Sequence, residues 1–335
     1  MNDFLALSPA QRKSVFESVA RNVPLPANAL EKDFWVSVLL QVLFSLPMAK
    51  NFVFKGGTSL SKGWHLIERF SEDIDIAVDR TLLGVTEGDL TKKQIKKLRK
   101  ASSLFVSERL APLIDEALQG RELRSFISME IQPNGEGDGT YPEPRQIRFH
   151  YRSVFDKGIA YLRPDVILEV GARSLLEPSE PRIIRSIVEE TIPLSPIGNS
   201  HVRTAIPAKT FLEKIFLLHE LFSQPYVRRS AERKSRHIYD LFMMRNEDFA
   251  KSAIGNDELW ETIRHHRETY TSVTGVDYTP DVRKRIQLVP SEEVIDVWSA
   301  DYEAMKEAMI YGSKPTFEEL MEAMKELQEV VRATK

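Results

Sequence analysis

The stretch that most restricts the fold is "KGGTSLSKGWHLIERFSEDIDIAVD", residues 55–79. In its last part Ile74, Ile76 and Val78 alternate with Asp73, Asp75 and Asp79, and Ala77 falls on the acidic side. A period of two is that of a strand with one face turned to a core. Same-face neighbours on a strand are about 7 Å apart, so the carboxylates repel and need compensation. Water does this on an acidic edge strand, a common guard against aggregation; a bound cation does it in a site. Gly56 and Gly57 favour the second reading. They follow a short apolar strand, "NFVFK" (51–55), and precede a helix expected over 58–68. Glycine lets backbone approach a ligand closely, and a helix start offers N–H groups and a positive dipole end to phosphate. Asp-x-Asp alone occurs roughly once by chance in a chain of this size. The ordered series of strand, Gly-Gly turn, helix and acidic strand is far more specific. Asp73 and Asp75 on one strand face suit a divalent cation that takes its other ligands from phosphate oxygens. Asp79 lies beyond Ala77 and is read as a solvated strand end.

A chain of 335 residues, 42% hydrophobic, can bury one large core or two ordinary ones. A net charge of −3 argues against a generic polycation, while leaving room for local basic patches. There is no cysteine, which excludes disulfides and thiolate metal sites. The N-terminal residues lack the basic start and apolar core of a signal peptide, and the longest apolar stretch, residues 34–48, is interrupted by Gln41 and Pro47. A soluble, cytoplasmic protein without membrane contact is expected.

The remaining pattern divides near residue 205. Ser8 and Pro9 open a helix over 8–20, and residues 28–46 read as a largely apolar helix packed on a sheet. A long helix over 91–119 begins with the basic run "TKKQIKKLRK". Strands follow at 125–131, 145–154 and 163–171, with a turn-rich loop at 134–139 and further strand-like sequence at 182–193. In 145–154 Ile147, Phe149 and Tyr151 alternate with Arg148, His150 and Arg152, giving a positive face. After Pro207 helices are expected at 208–222, 230–246, 256–267, 290–310 and 315–334. The fold class is therefore α+β: a mixed-sheet domain with N-terminal helices over 1–205, then an α-helical domain over 206–335.

Three more residues attract chemistry. Glu169, between Leu168 and Val170 near a strand end, can stand beside the Asp pair as a third carboxylate or general base; an ordinary strand-end Glu is the plainer reading. Lys214 shares a helix side with Phe211 and Leu218, so its ammonium either reaches inward to a triphosphate or snorkels outward. Asp240, between Ile238 and Leu241, calls for a buried cation, Lys214 or Arg236. The cluster "YVRRSAERKSRH" (226–237) suits RNA phosphates or a solvated helix start equally well. The basic run at 91–100 reads as a charged helix face. His265 and His266 are adjacent and diverge by about 100° on a helix, a poor metal pair.

Taken together, Gly-Gly-Thr-Ser-Leu followed by "RFSEDIDI" (69–76) resembles the AbiEii toxin family of nucleotidyltransferases. "EKDFWV" (31–36) is similar to the upstream signature of that family, and "FLEKI" with Lys214 and "HIYDL" with Asp240 continue the likeness. The resemblance implies a DNA-polymerase-β-like nucleotidyltransferase core and a helical domain that completes the active site. It implies an abortive-infection toxin that moves a nucleotide from an NTP to the 3′ end of tRNA and so stops translation. It also implies Mg²⁺ or Mn²⁺, and a separately encoded AbiEi-type antitoxin that often forms no stable complex with its toxin. Gly56, Gly57, Thr58, Ser59, Arg69, Ser71 and Lys214 would bind nucleotide, and Asp73 and Asp75 would bind metal. Asp73, Asp75, Lys214 and Asp240 would serve catalysis, joined by Glu169 on the strength of its strand position. Gly57 stands where the general nucleotidyltransferase pattern has Ser, and the interval to Asp73 is longer than usual, so Thr58 and Ser59 compete as the phosphate-touching hydroxyl. The alternatives are transfer to a protein or small molecule, and a non-catalytic nucleotide-binding module.

Overall fold

The computed structural model describes residues 3–85, 88–135, 141–155, 165–192, 194, 198–224 and 231–334. The chain divides into two compact units. The first comprises Met1–Trp64 and Phe70–Ala205, the second His65–Arg69 and Ile206–Lys335.

The first unit is built on a seven-stranded mixed sheet in the order β3-β4-β5-β2-β1-β7-β6. Its strands are β1 (Phe52–Lys55), β2 (Ile74–Val78), β3 (Ile127–Ile131), β4 (Arg145–Tyr151), β5 (Asp165–Gly171), β6 (Ser179–Ile183) and β7 (His201–Ala205). β1 runs antiparallel to β2 and parallel to β7, and β2 runs parallel to β5. Helices α1 (Asp3–Ala6), α2 (Pro9–Ala20), α3 (Ala27–Leu43), α4 (Gly56–Lys62), α5 (Lys92–Phe105), α6 (Ala111–Gly120) and α7 (Ile187–Thr191) complete it.

Paired residues share a sheet face, so the register sorts the side chains. Phe52, Phe54, Ile74, Ile76, Val78, Leu168, Val170, Ile147 and Phe149 make one face, all of them buried. α3 packs on the sheet at β5 and β7 and is flanked by α2, α6 and α7. It is buried nearly all round, which is why its sequence shows no polar stripe. The opposite face carries Lys55, Asp75, Glu169 and Gln146 in register, beside a small patch of Val53, Ala77 and Ala205 with Leu176.

Some expectations shift. The helix after the glycines begins at Gly56 and ends at Lys62; it does not run to residue 68, and residues 65–69 join the second unit. His65 at φ +54° takes the chain out of helical geometry. The long helix ending at Gly120 contains a π-helical turn over Val106–Leu110. The strand-like sequence at 182–193 opens with the end of β6, at 182–183, but turns into α7 over Ile187–Thr191. There Ser186 and Glu189 form a capping box that starts a helix despite the β-branched Ile187 and Val188. Parts of the 134–139 loop and of the strand expected from residue 163 lie outside the described residues. Asp79 is a cap: its Oδ1 accepts from the Thr81 N–H and hydroxyl.

The second unit is helical: α8 (Pro207–Ser223), α9 (Ser235–Met244), α10 (Asp248–Ile254), α11 (Asp257–Tyr270), α12 (Ile295–Met309) and α13 (Phe317–Ala333). Aromatic contacts between Phe216 and Trp260, Phe222 and Trp298, and Tyr302 and Phe317 mark its core. The segment 65–69 is fastened to it at Arg69, which bridges Ile310, and at Glu68, whose carboxylate accepts from the Ser313 N–H. Among the described residues no helix is long and apolar enough to cross a membrane.

Candidate active site

The acidic strand is compressed against the glycine turn. Gly56 follows β1 with φ +79°, and a Cβ at that position would collide with Asp75 Oδ2. Only glycine satisfies both conditions. Lys55 and Asp75 are register partners, so the turn backbone and the Asp75 carboxylate are held together by the β1–β2 ladder.

Glu169 stands beside Asp75 on β5 at the same level. Burial is the main cause that raises its pKa, followed by the charges of Asp75 and then Asp73. Gln146, its partner on β4, donates to Glu169 Oε1 at 2.7 Å, and Lys55 is the cation that opposes the shift. The structure thus brings Asp73, Asp75 and Glu169 into mutual electrostatic range. Sequence reading missed Lys55 and Gln146; β4 periodicity placed Gln146 on the same face as Arg148, but nothing in the sequence gave its register to Glu169.

The two hydroxyls of the turn go inward. Thr58 Oγ1 lies 2.8 Å from Ser71 Oγ and bonds the Asp73 carbonyl, and Ser59 Oγ donates to the Gly56 carbonyl at 2.8 Å. Both residues are buried. Thr58, Ser59 and Ser71 therefore brace the turn and the start of β2. Gly57 is the second residue of α4.

The "EKD" triplet of α3 explains the rigidity of this corner. Lys32 forms a buried ion pair with Glu72, the residue before Asp73. Asp33 pairs with Lys62 at the end of α4 and accepts from the Ile187 N–H at 2.8 Å. Glu31 accepts from the Ser153 hydroxyl at 2.5 Å and the Val154 N–H at 2.8 Å. Three consecutive buried charges thus tie one core helix to β2, to α4 and to the segment after β4. Lys32 and Thr58 hold the chain on both sides of the Glu72–Asp73 peptide.

In the second unit Asp240 receives a bidentate grip from Arg69, Nε to Oδ1 at 2.7 Å and Nη2 to Oδ2 at 2.8 Å. Lys214 Nζ lies 2.9 Å from Oδ2. Burial pushes the Asp240 carboxyl up, but Arg69 and Lys214 outweigh it and hold it below the usual carboxylate range. The expected partner Lys214 is present. The main one is Arg69, already part of the "RFSEDIDI" motif, whose guanidinium is 2% exposed and gives its charge to Asp240. Burial lowers the Lys214 pKa, and Arg69 and Arg236 add to this. Lys214 Nζ also lies 3.3 Å from His237 Nδ1. Burial, then Lys214 and Arg236, depress the His237 pKa well below that of free imidazole, so the neutral ring accepts a hydrogen bond from the ammonium.

Among the described residues, no three His, Asp or Glu side chains close into a metal cage. The chemistry of the donor set nonetheless fits a hard cation. Asp75 lies beside Glu169 on the sheet face and Asp73 immediately precedes β2, burial and then the charges of Asp75 and Asp73 raise Glu169, and Mg²⁺ typically binds through one or two carboxylates with substrate phosphates and water. The basic face of β4 is weaker than its sequence suggests. Arg148 is paired with Asp165 and His150 faces Glu130, while Arg152 is exposed. Arg228 and Arg229 of the other basic cluster lie outside the described residues.

Comparison with known proteins sets this geometry in a family. The profile of the nucleotidyl transferase AbiEii toxin family, type IV toxin–antitoxin system, matches residues 38–323. The chain belongs to that family: it is a toxin nucleotidyltransferase. Membership implies an NTP substrate and an antitoxin partner. The solved structure of MenT4, a nucleotidyltransferase toxin of Mycobacterium tuberculosis H37Rv, is similar in fold with a TM-score of 0.53. The identity is 16%, covering 98% of this chain and 91% of MenT4. JHP933 from Helicobacter pylori aligns with a TM-score of 0.42 and 14% identity, over 92% of this chain and 93% of that one. No curated protein matches.

Two outcomes test these contacts. Lys32→Met strands the buried Glu72 carboxylate and is expected to cost about 3–5 kcal/mol in denaturant unfolding. Lys32→Met with Glu72→Leu should recover most of it; equal loss in single and double variants would contradict a paired Lys32. The His237 shift makes stability depend on pH. The unfolded chain binds a proton below about pH 6.5 that the folded one refuses, so stability is lost as pH falls below that value, by up to about 1.4 kcal/mol per pH unit for each such group. His219, also depressed by burial, acts in the same sense. His237→Gln should flatten part of the fall in Tm between pH 7 and 5, and an unchanged slope would contradict the assignment.

Proposed function

We propose that this chain transfers a nucleoside monophosphate from an NTP to the 3′ end of an RNA, tRNA above all, and that the modified acceptor can no longer serve translation. The observation that carries the catalytic part is the contact of Asp75 with the Gly56 turn, in register with Glu169. The closeness of the carboxylates to the glycine turn supports reading that backbone as the phosphate site.

The acceptor 3′-oxygen attacks the α-phosphorus of the NTP. A P–O bond forms to the acceptor, the bond between the α-phosphorus and the bridging oxygen to the β-phosphate breaks, and pyrophosphate leaves with the electron pair. Asp73 and Asp75 would hold Mg²⁺ or Mn²⁺, which when bound neutralises phosphate charge and lowers the pKa of the attacking hydroxyl. The Gly56–Gly57 turn receives the β/γ-phosphates through its backbone. Glu169, with a raised pKa and oriented by Gln146, takes the acceptor proton. Lys214, held by Asp240 and His237, is assigned to phosphate charge, and Asp240 to positioning Lys214 and Arg69. Catalysis is then mostly positioning and charge neutralisation, as in phosphoryl transfer generally. An AbiEi-type antitoxin, encoded separately, would be the partner.

The test is incubation of the full chain with each α-labelled NTP, Mg²⁺ and total tRNA, with bulk protein as a parallel acceptor. Label should enter RNA, and Asp75→Asn should lower the rate at least about 1,000-fold, the scale of losing one strong electrostatic group in such sites. Gly56→Ala should do the same, because the added methyl displaces the Asp75 carboxylate. Label entering protein instead of RNA would overturn the acceptor assignment, and transfer undiminished in Asp75→Asn would overturn the site.

A further inference from the structure

α5 has a surface that the nucleotidyl-transfer site does not use. Its sequence, KKQIKKLRKASSLF, contains no acidic residue. Lys92, Lys93, Lys96, Lys97, Arg99 and Lys100 are all exposed, in a chain whose net charge is −3. At 3.6 residues per turn these cations fall within an arc of about 160°. Leu98, Ser102 and Phe105 are buried on the opposite side. The helix therefore presents one continuous positive face and keeps its apolar stripe in the core.

Local physics argues against this composition as mere surface dressing. Lys92 and Lys96, Lys93 and Lys97, and Lys96 and Lys100 are like charges at i,i+4, which destabilise a helix. Lys92 and Lys93 occupy its first turn, where the dipole favours anions. The capping box uses neutral Gln94 where a Glu would relieve the charge. Among the described residues Lys92, Lys93, Lys97, Arg99 and Lys100 form no carboxylate ion pair, and Lys100 instead lies 5.2 Å above the Tyr141 ring. A sequence that breaks two local rules in nine residues keeps those charges for something external.

We propose that the exposed face of α5 docks the phosphate backbone of the acceptor RNA. This rests on the reading that the acceptor is RNA. A phosphate backbone matches a dense, sequence-indifferent row of cations. An anionic membrane fits less well, because a helix that lies on lipid must offer its apolar face, and here that face is buried.

The experiment uses the full chain, a variant with all six cations changed to Gln, and a variant with the five lysines changed to Arg. Binding to fluorescent tRNA is read by anisotropy across a salt series, beside binding to phosphatidylserine vesicles. Transfer is read on tRNA and on a short oligonucleotide copying its 3′ end. The Gln variant is expected to bind tRNA at least about tenfold more weakly, and the slope of log K against log salt should shrink by roughly four. Its transfer to the short oligonucleotide should stay within about twofold, and the Arg variant should bind tRNA as the unchanged chain does. Equal tRNA binding by the unchanged chain and the Gln variant would overturn the proposal. So would a charge-dependent preference for vesicles over tRNA. If no RNA is labelled while the Gln variant still loses tRNA binding, the docking face stands and the acceptor assignment falls.

Discussion

The structure of the first unit turns on carboxylates held side by side. Asp75 and Glu169 stand at one level of two parallel strands, and Asp73 precedes them on the same chain. Left alone they repel, and that repulsion adds to burial in raising the pKa of Glu169. The proposed function answers this repulsion with a bound cation. Gly56 brings the turn into the same place: the absence of a side chain there leaves room for the Asp75 carboxylate.

Such an arrangement holds only if the strand cannot relax away from its own charge. The opposite face of the sheet prevents this. Phe54, Ile76 and Val170 are fixed in the core, and Lys32 on α3 reaches Glu72 while Asp33 reaches Lys62. Buried ion pairs are weak contributors to net stability, because desolvation offsets their attraction. Their use here is to specify geometry, with one core helix fixing both ends of the turn-to-strand segment. The Arg69–Asp240–Lys214 cluster does comparable work in the second unit, where two cations share one carboxylate.

Much of this was legible in the sequence. Strict alternation gave β2, and apolar runs gave β1, β5 and the largely apolar α3. The helices after Pro207 were readable from their period, although α10 was not, since seven residues show too little of a repeat. Position-dependent facts were not legible. That Thr58 and Ser59 turn inward follows from α4 starting at Gly56, a consequence of one positive φ. That Arg69 serves Asp240 follows from residues 65–69 joining the second unit, a long-range choice that no local pattern encodes. The "EKD" charges looked like a signature without a role, because the partners Glu72 and Lys62 lie 40 and 29 residues away. Strand-like Ile187 and Val188 became helical because a capping box outweighed β-propensity over so short a segment.

The central claim is that Asp73 and Asp75 hold the ion and the Gly56 turn holds the phosphates. The direct measurement is a crystal structure with Mn²⁺ and a non-hydrolysable NTP analogue, phased to show manganese by its anomalous signal. The account predicts manganese within about 2–2.3 Å of the Asp73 and Asp75 carboxylate oxygens, with β- or γ-phosphate oxygens at the Gly56–Gly57 backbone. Manganese and triphosphate bound together at other residues, with Asp75 unliganded, would contradict it.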